Sequence, residues 1–441
     1  MSRRSALSAL GASNGAFESV ARMVARPAAM RRPFSTTQPR ASITHFTPTS
    51  SAELDEVLNT IRYKIILPAY LPEDQRRRIY LARYQKQLQA DPVVIEIDGE
   101  VIKFHFTDPL TQIPNTRRSV LQALQLCREP ADFVNLRPLF EGLTYANRTF
   151  PPDFYCKVIR SVGRKGRIYD IIECARGAAR TGFRLDSSEK VNEVLHFVQM
   201  RAADAAWDPR VLRQCLRWAE IVLDLTQHAN HRRAEPLLPG ELPLHQDPMV
   251  LLAPLHLAAS LVEQYDIDAA RAAAPDDSEA VTEAAPAPAP AEAEAEADGQ
   301  APGSNDAEET ASRAANRAQA AAKAARYALY VARLWPEGRR LREVQPAAAY
   351  EDSTRLGYLR PGSKFVALAT PLLHGLDVAL RVLEPALADP LRPRRDLLAA
   401  EIDEARAALN LRASAVWEQF FGDGMLSSER DRLPDVAEAS A

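Results

Sequence analysis

The sequence predicts a mainly α-helical protein. Its expected architecture is a set of stacked antiparallel helical hairpins, α-solenoid-like, with a small N-terminal β-hairpin element. Three observations predict it. Glycine is sparse, 17 of 441 residues, in a chain rich in Ala, Leu and Arg, which favours helices over sandwiches or barrels. Apolar residues recur at helical spacing throughout 114 to 226. The connections between those stripes, "GRKG", "TGFRLDSS" and "AAWDP", are short, as between antiparallel neighbours.

The elements follow in order. Ser50 or Ser51 precedes "AELDEVLNTI", whose first-turn acids suit a helix N-terminus. Pro68 and Pro72 interrupt the pattern, and "EDQRRRIYLARYQKQLQ" resumes it. In "VVIEIDGEVIKFHF" the period changes to two β-branched runs joined by Asp98-Gly99, a dipeptide suited to a two-residue hairpin turn. A lone hairpin is marginal in water, so this one is expected to lie on neighbouring helices or a partner.

Four helical stripes come next. Tyr155, Val158, Ile159 and Val162 form one, and Ile168, Ile171, Ile172, Ala175 and Ala179 another. Val191, Val194, Leu195 and Val198 form the third, and Val211, Cys215, Trp218, Val222 and Leu225 the fourth. Tyr155 and Val191 begin equivalent stripes 36 residues apart, close to the ~34-residue period of helical-hairpin repeats. The implied organisation is a segment 45–113 of helices plus β-hairpin, a helical-hairpin domain 114–265, an Ala/Pro/Glu-rich linker 266–308, a helical region 309–425 and a tail 426–441. The linker has no apolar stripe and is expected to be disordered. Residues 228 to 248 are Pro-rich and read as a loop.

Residues 1–34 are read as a mitochondrial presequence and set apart from the fold. The first forty residues hold seven Arg and one acid, Glu18, with Ser and Ala between them. "RRPFSTT" places Arg32, Phe34 and Ser35 in the pattern of a matrix-protease processing point. The expected location is the mitochondrial matrix. Without 1–34 the formal charge moves from -3 to -8, with 49 basic against 57 acidic residues. Residues 266 to 310 carry thirteen acids and one Arg, so the remainder is about +4. The acidic tract hides a mildly basic folded part.

Chemistry is hard to find. Cys127, Cys156, Cys174 and Cys215 form no CxxC pair and fit no zinc or disulfide pattern, which predicts buried thiols in a reducing compartment. "GYLRPGSK", residues 357 to 364, has the glycine gap of a phosphate loop but Ser363-Lys364 in the wrong order and no preceding strand. His228 and His231 sit in the Pro-rich loop without a Cys or carboxylate cluster and are expected to be solvated. "FVALATPLLHGLDVAL" is interrupted by Pro371, His374 and Asp377, so no membrane span is expected. No enzyme, cofactor, metal site or small-molecule substrate is expected.

The remaining signal is charge. Residues 157 to 184 carry Lys157, Arg160, Arg164, Lys165, Arg167, Arg176, Arg180 and Arg184 against two acids, a net +6. On a helix, Lys157, Arg160 and Arg164 share one side, opposite the Tyr155/Val158/Val162 stripe. Arg176, Arg180 and Arg184 form a second row. Clustered cations bind nucleic acid through phosphate neutralisation and counterion release. A charge run is also the ordinary wet side of a helical hairpin. The mitochondrial address raises the RNA reading, with acidic patches on neighbouring proteins as the other class of contact.

"IRYKIILPAYLPEDQRRRIY", the "DPVVIEIDGEVIKFHF" hairpin and the helices after them resemble fungal mitochondrial ribosomal proteins that lack a bacterial counterpart, with a large-subunit member favoured. The two-helix unit 153–186 is similar to a degenerate pentatricopeptide-type hairpin. The resemblance implies a structural, cofactor-free role among mitochondrial rRNA and mitoribosomal proteins. The rival expectation is a pentatricopeptide-like RNA-binding factor for transcript stability or translational activation.

Overall fold

The computed structural model describes residues 43–97, 99–273, 304–409 and 415–421. The expected presequence with Arg32, Phe34 and Ser35, most of the expected linker and the tail lie outside the described residues.

Helix α1 (Ala52–Ile61) starts where the cap chemistry directs: the Ser51 hydroxyl accepts the Leu54 N–H at 3.2 Å, with Glu53 and Asp55 in the first turn. A π-turn, Arg62–Ile66, and a 3₁₀ turn, Leu67–Tyr70, absorb the change of direction at Pro68. Short helices α2 (Glu73–Tyr80) and α3 (Gln85–Ala90) then lead to the antiparallel strands β1 (Val93–Ile97) and β2 (Glu100–Phe104). Ile97 pairs with Glu100 across the turn, and Gly99 takes φ +82°, a left-handed conformation that glycine adopts without strain. The hairpin does lie on helices. Ile102 and Phe104 bury against Leu67, Leu71, Ile79 and Leu88 in a small core of their own. Buried Arg62 clamps the hairpin from beneath: its Nη1 is 3.1 Å from Glu100 Oε1, and its Nε donates to the Thr44 carbonyl at 2.8 Å.

Helices α4 (Thr116–Leu126), α5 (Leu136–Tyr145), α6 (Pro152–Gly163), α7 (Ile168–Arg176) and the short α8 (Ala178–Thr181) follow. After them come α9 (Ser188–Asp204), α10 (Pro209–Gln227), α11 (Pro248–Ala273) and α12 (Ser304–Leu334). The chain alternates between two rows. In one, α4 packs on α6, α6 on α9 and α9 on α11; in the other, α5 packs on α7 and α7 on α10. Lys323 on α12 reaches Glu220 on α10 at 2.8 Å and extends the second row. A Cβ at Gly163 would sit 2.3 Å from the Phe197 ring, so glycine there sets how closely α6 approaches α9.

The rest of the chain is α13 (Ala347–Glu351), α14 (Gly362–Val382), α15 (Pro385–Ala388), α16 (Arg392–Ala408) and α17 (Ala415–Phe421). Helix α14 is long and apolar enough to cross a bilayer, yet two thirds of its most apolar stretch, 67%, is buried within the protein. It packs on α11, α9, α16 and α17. The polar interruptions seen in its sequence have partners: His374 Nδ1 lies 2.9 Å from His256 Nε2, and Asp377 holds Arg395 at 2.6 Å.

Two expectations shift. Helix α11 runs on to Ala273 and α12 begins at Ser304, so both enter the expected 266–308 linker; the Ala-rich "DAARAA" has high intrinsic helicity. His231 is buried rather than solvated, and its Nδ1 accepts the Leu185 N–H at 2.9 Å. All four cysteines are buried and unpaired, and burial pushes Cys127 up to about 11 and Cys215 to about 12.

Candidate nucleic-acid interface

The basic stretch lies on α6, α7 and α8 and the turns around them, and most of its charge is used inside the molecule. Lys165 Nζ donates to the carbonyls of Leu124, Gln125 and Cys127 at 2.7, 3.0 and 2.6 Å, closing the C-terminus of α4. Arg167 holds Asp170 at 2.8 Å and lies over the Phe133 ring. Arg176 pairs with Glu173 and Arg180 with Glu141, each at 2.8 Å. Arg184 Nε donates to the Asn230 carbonyl at 2.8 Å. Arg160 is half-buried, 3.8 Å from Glu193, a carboxylate it shares with Lys364 of α14 at 3.2 Å. Burial pushes Glu193 upward in pKa, and those two cations offset part of the shift.

Lys157 and Arg164 remain. Both are exposed and make no ion pair among the described residues. Lys157 lies on α6 and Arg164, seven residues later, ends that helix with helical backbone angles, so the two share one face. The second row, Arg176, Arg180 and Arg184, is paired within the molecule, although Arg176 and Arg180 stay exposed.

Lys157 opens onto a cleft of about 740 Å³ between α4 and α6, whose lining includes Arg117, Arg118, Gln122, Gln125 and Asp153. The two helices run parallel here. Asn115, at the start of α4, and Phe154, at the start of α6, line the same cleft, while Lys165 at the far end of α6 caps the far end of α4. Asn115 caps α4, its Oδ1 accepting the Arg118 N–H at 3.2 Å. The first turn of α4 holds two arginines and no acid. The helix dipole disfavours cations at this end, so α4 carries an unfavourable arrangement that an anion in the cleft would relieve. The lining has three cations and one acid, with amides beside them as further donors.

Sequence reasoning missed Arg117 and Arg118. The signal was present in "NTRRS": a cap residue followed by arginines where acids are the rule. The near-miss phosphate loop is structural. Gly357–Leu359 is a 3₁₀ turn, Lys364 pairs with Glu189 and Glu193, and the Tyr358 hydroxyl bonds Ser188 and Asn192 at 2.9 Å. No group of three or more metal-ligating side chains occurs among the described residues.

A family model described as mitochondrial ribosomal protein mS27 matches residues 32–296 and 307–420. The chain belongs to the mS27 family of mitochondrial ribosomal proteins. It is similar to the small ribosomal subunit protein mS27 of Neurospora crassa, 30% identical over 367 residues that cover 82% of this chain and 83% of that one. As an mS27-family member it is a mitochondrial, structural ribosomal protein and not an enzyme. The large-subunit expectation is corrected by the same match, because the mS27 relative is a small-subunit protein.

Proposed function

We propose that this mS27-family chain is a structural component of the small subunit of the mitochondrial ribosome, acting in the matrix. Its exposed cations contact rRNA phosphates, and the rest of its surface contacts neighbouring proteins. The observation that carries the RNA contact is the α4–α6 cleft, where Arg117, Arg118 and Lys157 outnumber the one acid, Asp153, and make no ion pair among the described residues. Arg164 extends that face along α6. The other six residues of the basic stretch serve mainly as internal fasteners and contribute to RNA contact only at their exposed edges.

The two-row stack of hairpins also suits the rival reading, a transcript-specific RNA-binding factor. Helix α14 weighs against it. It covers α9 and α11, the part of the first row that a base-by-base reader would need open. Sedimentation of a tagged chain at low salt tests the proposal. Stoichiometric migration with the small subunit is expected. Migration with the large subunit, or with neither, rejects it.

A further inference from the structure

The N-terminal lobe holds a second cationic surface, and it differs in kind from the α4–α6 cleft. Residues 73 to 86, "EDQRRRIYLARYQK", carry five cations and two acids. Only Arg77 pairs with one of them, Glu73, across an exposed 2.6 Å contact. Arg76, Arg78, Arg83 and Lys86 make no ion pair among the described residues. Two guanidinium groups sit on one aromatic ring: Arg83 Cζ is 4.7 Å and Arg78 Cζ 5.5 Å from the Tyr84 ring centre. Arg78 Nε is buried and has no acceptor, although buried donors are almost always satisfied. Tyr80 lies one turn away. Burial raises the pKa of its hydroxyl, and the charges of Arg148 and Arg76 oppose that rise. Tyr80 and Tyr84 pack against the small core of Leu71, Ile79 and Leu88, so their rings are held rather than free to turn.

We infer that the Tyr80–Tyr84 turn is a binding site for unpaired RNA, with a base stacking on Tyr84 and its guanidiniums and with Arg76, Arg78 and Arg83 holding the flanking phosphates. The inference rests on the proposed ribosomal role and names a type of RNA contact within it. An acidic peptide would exploit the charge alone. Arginines held over a fixed ring form the alternating planar stack that splayed bases enter. The cleft between α4 and α6, by contrast, offers donors and cations without an exposed ring. It suits backbone of any conformation.

Fluorescence anisotropy with the full chain tests this, using a labelled single-stranded oligoribonucleotide of mixed sequence, its duplex form and an oligoglutamate peptide. Tyr84→Leu is expected to weaken single-strand binding about tenfold with an unchanged salt slope, and Tyr84→Phe to retain binding. Arg83→Gln, a change at an exposed side chain that leaves the fold intact, is expected to weaken binding about threefold and to reduce the salt slope by about one. Single-strand binding that is indifferent to Tyr84→Leu overturns the inference. So does oligoglutamate binding that depends on Arg83 while RNA binding does not, which would mark an acidic-protein surface. A chain that fails to travel with the small subunit yet keeps Tyr84-dependent RNA binding overturns only the assembly role.

Discussion

The Lys165 ammonium lies 2.6 Å from the carbonyl oxygen of Cys127, thirty-eight residues earlier in the chain. It turns a cation of the surface turn into the cap of a neighbouring helix. Lys165→Met leaves three carbonyls at the α4 end without that donor and is expected to cost about 2 kcal/mol of stability. Chemical denaturation measures this. The same variant should leave the salt dependence of RNA binding unchanged.

Arg117 separates stability from assembly. Arg117→Glu puts an acid where the α4 dipole favours one and should stabilise the isolated chain by about 0.5 kcal/mol. Combined with Lys157→Glu it should release the chain from the small subunit at lower salt than the parent. Thermal melting and gradient sedimentation read the two effects independently. A double variant that stays bound at every salt concentration removes the cleft from the interface.

Gly375 lets α14 approach α11. A Cβ there would lie 2.4 Å from His256 Cβ, so Gly375→Ala must push the two central helices apart. The expected loss is about 3 kcal/mol, seen as a lower melting temperature. Gly338 has open space around the same added carbon but takes φ +76°, so Gly338→Ala should cost less, through backbone strain alone.

His196 makes the fold sensitive to mild acid. It is buried, its Nδ1 has no partner, and burial holds its pKa down at about 4. The folded state keeps the neutral ring while the unfolded chain protonates near 6.5. Stability is therefore full above that pH and falls as pH drops toward 4, by about 3 kcal/mol. His256, also lowered by burial, adds in the same direction. His196→Leu should flatten the slope in urea titrations between these pH values.

Asp132 acts in a lower window. Burial alone would raise it, but the backbone N–H groups of Ser50, Arg128 and Glu129 and the Ser50 hydroxyl bring it to about 2. Because the carboxylate is favoured in the fold, its contribution is complete above about pH 4. It should vanish toward pH 2, a loss of about 2 kcal/mol. Asp132→Asn should abolish that step and lower stability at neutral pH.

The helical class, the hairpin at Gly99 and the cap at Ser51 were legible because each depends on residues within a few positions of one another. So were the stripes on α6, α7, α9 and α10, except that Ala179, read as the end of the second stripe, lies exposed on α8. The candidate interface was only partly legible. Lys157 and Arg164 were found through helical spacing, whereas Arg117 and Arg118 lay outside the run of charge that drew attention. The stretch "RRRIYLARY" read as a helix resuming, because nothing local reveals that Arg78 and Arg83 converge on Tyr84.

By itself the sequence determined which segments become helices or strands, the basic character hidden behind an acidic tract, and a thiol set without reactive pairing. These follow from periodicity, propensity and composition, all of which act locally along the chain. Only the tertiary structure decided which cations stay available. Arg180 meets Glu141, Arg184 meets the Asn230 carbonyl and Lys165 meets the end of α4 across gaps of 39, 46 and 38 residues. Whether a charge is spent or exposed depends on which groups packing brings within about 4 Å of it, the range over which ion pairs form, and spacing along the chain does not encode that distance.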